Sequence, residues 1–370
     1  MASIRKLADG RWQAQLRPIP GGKQITRTTS RKADAQRWLD EQQALLVTGH
    51  FVAPSSSRIM FSAFFEQWSA RQIWVVSTGQ AMRRTARMSP FWDMQLGLIR
   101  RSHVEAWVKS MQTAKTHAGQ DSGLAPSTIK HYFSQVRTIF RAAVTDRRIT
   151  SDPTAGVKLP RARRAQTSMV LPTIGQIRAL LDVSGAELRL FISLCAFAGL
   201  RRGEALALKA TDVDFGSGTL SVLRQVQHLA DGTIEIRPPK YGSERIVGLP
   251  AELLRMLSTQ VAAYPARGRE PWVFPGRDGQ PIQEYIMSNR WRKARRHAEA
   301  GGVRVHDLRH FFASGLIAAG CDVVAVQRAL GHANATITLN TYTHLWPKAE
   351  DRARVAASAM LAEVLQLSDE

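Results

Sequence analysis

The sequence predicts a mainly α-helical protein with small β regions: a three-stranded sheet plus one helix at the N-terminus, then a helical body interrupted by one compact β patch. Apolar and polar residues alternate only over residues 3–28 and between Leu220 and Leu249, whereas elsewhere apolar residues recur at helical spacing. Scale agrees with this. A chain of 370 residues with 44% apolar content suffices for two or three domains, each with a core of its own.

Charge divides the chain. The formal net charge is +21, with 27 Lys and Arg against 10 Asp and Glu in residues 1–165 and 24 against 20 in the remainder. A strongly basic N-terminal part is expected to grip a polyanion, leaving a different task to the rest. An anionic membrane is the poorer candidate. The most apolar stretch, Leu190 to Leu200, is eleven residues bounded by Arg189 and Arg201, too short to span a bilayer. The polar opening MASIRKLADG carries no signal-peptide pattern, so a cytoplasmic protein is expected. Cys195 and Cys321, the two cysteines, sit in apolar surroundings and read as buried free thiols.

The N-terminal strands follow from their turns. Asp9-Gly10 and Pro20-Gly21-Gly22 are turn signals, and between them Trp12, Ala14 and Leu16 alternate with polar residues. Ser30 is the expected cap of a helix bearing Ala35, Trp38, Leu39 and Leu45 and ending at Gly49. Arg11, Arg17, Lys23, Arg27 and Arg31 on these strands and turns suit a sheet that enters a DNA groove; a small solvated domain is the plain alternative. AlaProSerSerSer at 53–57 marks a linker.

Helices follow. Phe61, Phe64, Phe65 and Trp68 have helical spacing, and Ser102 with Glu105 reads as a capping box ahead of Ala106, Trp107 and Met111. From Ser127 to about Arg147, an apolar stripe of Ile129, Tyr132, Phe133, Val136, Ile139, Phe140 and Ala143 faces a core. Lys130, Arg137 and Arg141 on the other side suit phosphates. A second linker, SDPTAGVKLPRARRAQ, carries Arg161, Arg163 and Arg164 and could lie along DNA. Beyond it, helices are expected from Thr173, over Glu187–Ala198, Pro250–Ala263, Ile282–Ala300, from His306, over Val323–Leu330 and around Thr338–Tyr342. Strands are expected at Leu220–Val226, Thr233–Arg237 and Arg245–Leu249.

The chemistry centres on HDLRH, His306 to His310. Two histidines at i and i+4 share a helix face, as zinc ligands must, and His332 or His344 could supply a third. Asp307, however, is shorter than the general-base Glu of a zinc protease, and Arg309 projects a permanent cation beside any bound Zn²⁺. A phosphate fits the same geometry better, since His306 and Arg309 can meet its oxygens together. Three further pieces accompany them. Ala198-Gly199-Leu200-Arg201-Arg202-Gly203-Glu204 closes an apolar helix with a turn that keeps Arg201 next to the core; Lys240 lies at the tip between two expected strands; and in ALGHANATITLNTYTHLWP, His332 follows Gly331 ten residues before Tyr342. No phosphate-binding glycine loop, G-x-S-x-G elbow or G-x-G-x-x-G fingerprint is present, and Asp212 and Asp214 read as turn residues.

AGLRRGEALAL, the Lys240 segment, HDLRH, LGH and TYTHL resemble, in that order, the motifs of the tyrosine recombinases, the phage-integrase family. The resemblance spans about residues 170–350. It implies an arm-type DNA-binding module at 1–52, a helical core-binding (SAM-like) domain at 58–152, a basic linker at 153–168 and a tyrosine-recombinase-like catalytic domain at 169–370. It also implies roles. Arg201 and Arg309 would clamp the scissile phosphate with His306 and His332, Lys240 would protonate the leaving 5′ oxygen, and Tyr342 would attack to give a 3′-phosphotyrosine, with His306 as general base. Glu204 and His310 would be supporting.

Fixed guanidiniums stabilise the charge that gathers on a phosphodiester under attack, and proximity to them eases the ionisation of a tyrosine whose ordinary pKa is about 10. The implied function is integration or excision of a mobile element without ATP, metal or other cofactor. Implied partners are core-type and arm-type DNA, three further copies of the chain in a synapse, a host DNA-bending protein and a directionality factor. The protein would be nucleoid-associated when bound to DNA. The apolar residues of ARVAASAMLAEVLQL would pack on a neighbouring copy or on their own domain. The alternatives are a type IB topoisomerase-like enzyme, a catalytically silent DNA-binding regulator on the same scaffold and, last, a metalloprotease.

Overall fold

The structure, a computed structural model, describes residues 2–18, 22–48, 51–52, 56–113, 123–161, 171–229, 232–264, 270–276, 279–345 and 357–362. Most of the turn at 20–22, Gly49, part of the 53–57 linker, Arg163, Arg164 and most of the C-terminal apolar segment lie outside them. The chain forms two compact units, Met1–Thr167 and Ser168–Glu370.

In the first unit, β1 (Ala2–Lys6), β2 (Trp12–Leu16) and β3 (Ile25–Thr29) make an antiparallel meander with β2 in the centre. Asp9 closes the first turn by accepting the Arg11 amide N–H at 3.1 Å, and Gly10 takes φ +81°, a conformation that suits glycine. Helix α1 (Lys32–Val47) covers one face, where Ala14, Ala35 and Leu39 form a small core. Ser30 is not its cap. Extended backbone runs on through Arg31, which becomes the N-cap without a side-chain bond.

The remaining helices of this unit, α2 (Phe61–Ser69), α3 (Val76–Met88), α4 (Arg101–Thr113) and α5 (Pro126–Thr145), enclose an aromatic core. Phe140 of α5 meets Phe61 at 5.3 Å between ring centroids, and Phe91 meets Trp107 edge-on at 5.5 Å. Ser102 is already inside α4 and forms no capping box. His103 Nδ1 instead accepts the Arg100 amide N–H at 3.1 Å, and Glu105 pairs with Arg101.

The second unit is built around α7 (Ala186–Phe197), which is buried on nearly every side, as its run of apolar residues requires. Before it lies α6 (Ile174–Asp182), capped by Thr173 and Gln176 in a reciprocal box. After it come the short α8 (Arg202–Leu206) and the strands β4 (Val213–Asp214), β5 (Thr219–Val222), β6 (Gln225–His228), β7 (Ile234–Arg237) and β8 (Arg245–Gly248). The expected long strand from Leu220 is therefore two. β5 lies between β4 and β8 in one sheet, while β6 and β7 pair separately. Lys240 lies between two strands as expected, but these belong to different sheets, and it is carried on a single helical turn, Lys240–Gly242, that links them. Asp214 holds the turn after β4 by accepting the Gly216 and Ser217 amide N–H groups.

Helices α9 (Ala251–Ala263), α10 (Glu284–His297), α11 (Val305–Ala318), α12 (Val323–Leu330) and α13 (Ala335–Tyr342) complete the unit. α11 packs along α7, and α12 packs against α11, α13 and β8. Cys195 is buried and Cys321 half-buried. Among the described residues no helix is long and apolar enough to cross a membrane.

Candidate active site

The site is assembled around the C-terminus of α12. A helix leaves its last carbonyl oxygens without partners inside the helix, at the negative end of its dipole. Here three guanidiniums from three places in the chain supply those partners. Arg245 Nε donates to the Ala329 carbonyl at 3.0 Å, Arg309 Nη2 to that of Leu330, and Arg201 Nη2 to that of Gly331 at 3.2 Å. Gly331 ends the helix at φ +60°, and His332 follows it.

Local structure aims each arginine. Gly199, at φ +65°, reverses the chain after α7, and a Cβ there would lie 2.5 Å from the Phe312 ring. Arg201 then takes the N-cap of α8. Glu204 accepts its amide N–H at 2.9 Å and its guanidinium at 2.7 Å, and receives Arg245 Nη2 at 2.8 Å on the other side. Burial pushes the Glu204 carboxyl up, but Arg245 and Arg201 outweigh it and hold its pKa below the usual range. Glu204 is thus a buried anion that positions two cations.

Arg309 lies on the inner face of α11, 2% exposed, with Nη1 on the Gly199 carbonyl at 2.5 Å. Burial, then the neighbouring Arg201 charge, brings its pKa down to about 9, which leaves it charged at neutral pH. A guanidinium has five donors, so its two anchoring bonds do not exhaust it. Asp307, at the third position of α11, accepts the Arg304 amide N–H at 2.8 Å and its guanidinium at 2.8 Å. It closes the helix start, a structural task that a general-base glutamate would not have.

Tyr342 is 1% exposed, among Ala313, Ile317, Val326 and Leu330. Its hydroxyl is 2.7 Å from His310 Nδ1. The His332 ring stacks on it at 6.5 Å with an 11° tilt, while His332 Nδ1 pairs with Thr338 Oγ1 at 2.8 Å. Burial raises the Tyr342 pKa to about 12, partly offset by Arg309 and Arg201. His332 is pushed down to about 4 by burial and then by Arg309, and His310 to about 4 by burial and then by His306. Both imidazoles are neutral at pH 7.

A groove of about 800 Å³ opens above this layer. Arg201, Lys240 and His306 line it together with Arg202, Arg295 and Arg304. Lys240 and His306 are exposed there, and the His306 pKa is lowered by partial loss of hydration and by Arg309. Arg201, Lys240 and His306 therefore share one basic groove, whereas Arg309 and Tyr342 lie buried and His332 opens onto an adjoining recess with Ser243 and Arg245. Sequence reasoning missed Arg245. The signal was Glu204, since a buried carboxylate needs more cationic support than one arginine gives.

On the N-terminal sheet, Arg11, Arg17, Lys23 and Arg27 are all exposed, but they do not form one set. Arg11 pairs with Asp9, and Arg27 stands opposite Ala14, in register on the face that α1 covers. The open face carries Arg5, Gln13 and Gln15 in hydrogen bond with one another, residues the charge count did not single out. Lys130, Arg137 and Arg141 are exposed along α5, and Arg161 is exposed.

A helical unit that focuses several fixed guanidiniums and histidines beside one tyrosine, under a cationic groove, defines a class of phosphodiester-handling enzymes. The model of the phage integrase family matches residues 173–348. A putative prophage phiRv2 integrase of Mycobacterium tuberculosis is 26% identical over 97% of this chain and 95% of its own length. A tyrosine recombinase XerC of Chromobacterium violaceum is 32% identical over 63% of this chain and 73% of its own. Among solved structures, the Tn1549 transposon integrase in complex with a circular intermediate DNA aligns at TM-score 0.66 and 20% identity, covering 81% of this chain and 99% of that one. A lambda integrase tetramer bound to a Holliday junction aligns at TM-score 0.55 and 17% identity, over 90% and 96%.

The chain belongs to the tyrosine recombinase (phage integrase) family. It is a site-specific DNA recombinase, an enzyme that cleaves and rejoins DNA, and these findings favour neither the topoisomerase nor the silent regulator.

Proposed function

We propose that the chain integrates or excises a mobile element by a Tyr342-linked 3′-phosphotyrosine, with the scissile phosphate seated between Arg201 and Arg309. The observation that carries this reading is the convergence of both guanidiniums on the end of α12, next to the tyrosine. A phosphate there would meet donors already fixed by carbonyl and carboxylate partners, so little reorganisation is needed as charge develops. Lys240, exposed where it lines the groove, suits the general acid for the leaving 5′ oxygen. His306 and His332 complete the hydrogen-bonding shell, and Glu204 braces Arg201. Because the bond energy is kept in the tyrosyl ester, a second 5′ hydroxyl can reverse the step without ATP.

Residues 58–152 would hold core-type DNA through Lys130, Arg137 and Arg141, the segment 153–168 would track phosphates through Arg161, Arg163 and Arg164, and residues 1–52 would hold arm-type DNA. Four copies would form the synapse, a reading supported by the lambda integrase tetramer on its junction. A host DNA-bending protein and a directionality factor would set the direction. The deciding experiment incubates the protein, in EDTA, with a nicked suicide duplex bearing its attachment site, found from the DNA flanking the gene. Wild type should form a covalent adduct and Tyr342→Phe none; an adduct with Tyr342→Phe overturns the assignment.

A further inference from the structure

The family resemblance implies the general-base role for His306, yet the imidazole that touches the tyrosine is another one. His310 Nδ1 is 2.7 Å from the Tyr342 hydroxyl. His332 presents its ring face to Tyr342 and commits Nδ1 to Thr338, whose side chain is fully buried. His306 packs against His310 in a T-shaped contact at 4.6 Å between ring centroids and lines the groove with Lys240. Three histidines thus occupy three stations: groove, hydroxyl and ring face.

We propose that His310 is a catalytic residue, the group that takes the Tyr342 proton as the tyrosine attacks. This rests on the reading of Tyr342 as nucleophile. In the tautomer with hydrogen on Nε2, Nδ1 accepts from the phenol. During cleavage the phenol oxygen forms the bond to phosphorus and the bond from phosphorus to the 5′ oxygen breaks. The phenol proton passes to His310 Nδ1, and the Lys240 ammonium gives a proton to the 5′ oxygen. Rejoining returns both. The proton gained by His310 equals the one lost by Lys240, so the protein's net charge is unchanged over the step.

The surroundings fit an acceptor that is empty at rest. His310 is faced by His306, Asp307 and Arg309 on α11 and by Arg304 at its N-cap; His332 faces it from the turn after α12, and Tyr342 from α13. Partial burial, then His306 and the arginines, keep the imidazole neutral, with its pKa pushed down to about 4, while Asp307 works the other way and favours the imidazolium. As the phenolate charge passes to the phosphate, the imidazolium forms next to a group that is turning anionic.

The test is single-turnover cleavage of the suicide duplex, with either a normal 5′ oxygen or a bridging 5′ sulfur, whose departure needs no acid. His310→Ala and His310→Asn should be slowed about 100-fold on both substrates, while Lys240→Ala should recover on sulfur. For His310→Ala the rate should climb about tenfold per pH unit through neutrality, because hydroxide must then ionise Tyr342; wild type should be nearly flat. Duplex binding by gel shift checks folding, and if His310→Ala fails it, the milder His310→Asn is compared alone. Wild-type rates in His310→Asn, a faster His310→Ala, or rescue of either by sulfur would overturn the proposal. An adduct in Tyr342→Phe would instead refute the nucleophile assignment.

Discussion

Glu204 and Arg245, 41 residues apart in the chain, meet at 2.8 Å with their side chains 0% and 6% exposed. The same carboxylate holds Arg201, and Arg245 reaches on to the Ala329 carbonyl, so one ion triad ties α8, β8 and the end of α12 together. Removing one member of a buried pair leaves a charge without its counterion. Glu204→Gln should therefore cost about 3–5 kcal/mol of unfolding free energy, measured by urea denaturation. Its pKa is lowered in the folded protein, so the stabilisation is full above its ordinary value of 4.5 and is lost as pH falls through the folded value. The acid limb of the stability curve should flatten in the variant.

Gly199→Ala tests the turn that aims Arg201. The residue sits at φ +65°, and an added Cβ would press on Phe312. A loss of more than about 1 kcal/mol is expected from backbone strain and overpacking, with adduct formation reduced further than DNA binding. An unchanged melting temperature would count against the geometry.

Thr338→Val removes the hydroxyl paired with His332 Nδ1 while nearly preserving shape. A loss of about 1 kcal/mol is expected, together with slower cleavage at unchanged duplex affinity, read by gel shift and by adduct yield. Equal rates would show that His332 needs no such orientation.

His310 and His332, at about 4 in the folded state against an ordinary 6.5, bind protons more readily when unfolded. Stability contributed by their neutral forms is complete above pH 6.5 and declines as pH falls toward 4. His310→Asn should shrink that decline in denaturation curves taken between these limits.

Binding by the basic N-terminal unit should weaken steeply with salt. Substituting Lys130, Arg137 or Arg141 by Ala should each reduce the log–log salt slope by about 1. On the N-terminal sheet, Arg5→Ala is expected to weaken arm-type binding more than Arg27→Ala, since Arg5 lies on the open face; the reverse order would reassign that face.

Much of this protein was legible locally. Apolar spacing marked α12 at its observed bounds and α5 within a residue or two, and Thr173 was read as the start of its helix, where it is the N-cap. Helix period and cap chemistry act over a few residues, so the sequence by itself determines them. Motif order likewise brought Arg201, Lys240, His306, Arg309, His332 and Tyr342 forward as one set. Tertiary structure decided what those residues touch. Neither the splitting of the β patch into two sheets nor the turn that carries Lys240 follows from alternation, because pairing depends on partners far along the chain. Arg245 looks like an ordinary strand residue until Glu204 and Ala329 are placed beside it. His310 shows its meaning only when α13 lays Tyr342 across it, for a hydrogen bond between residues 32 apart is written in the packing of two helices and not in either one.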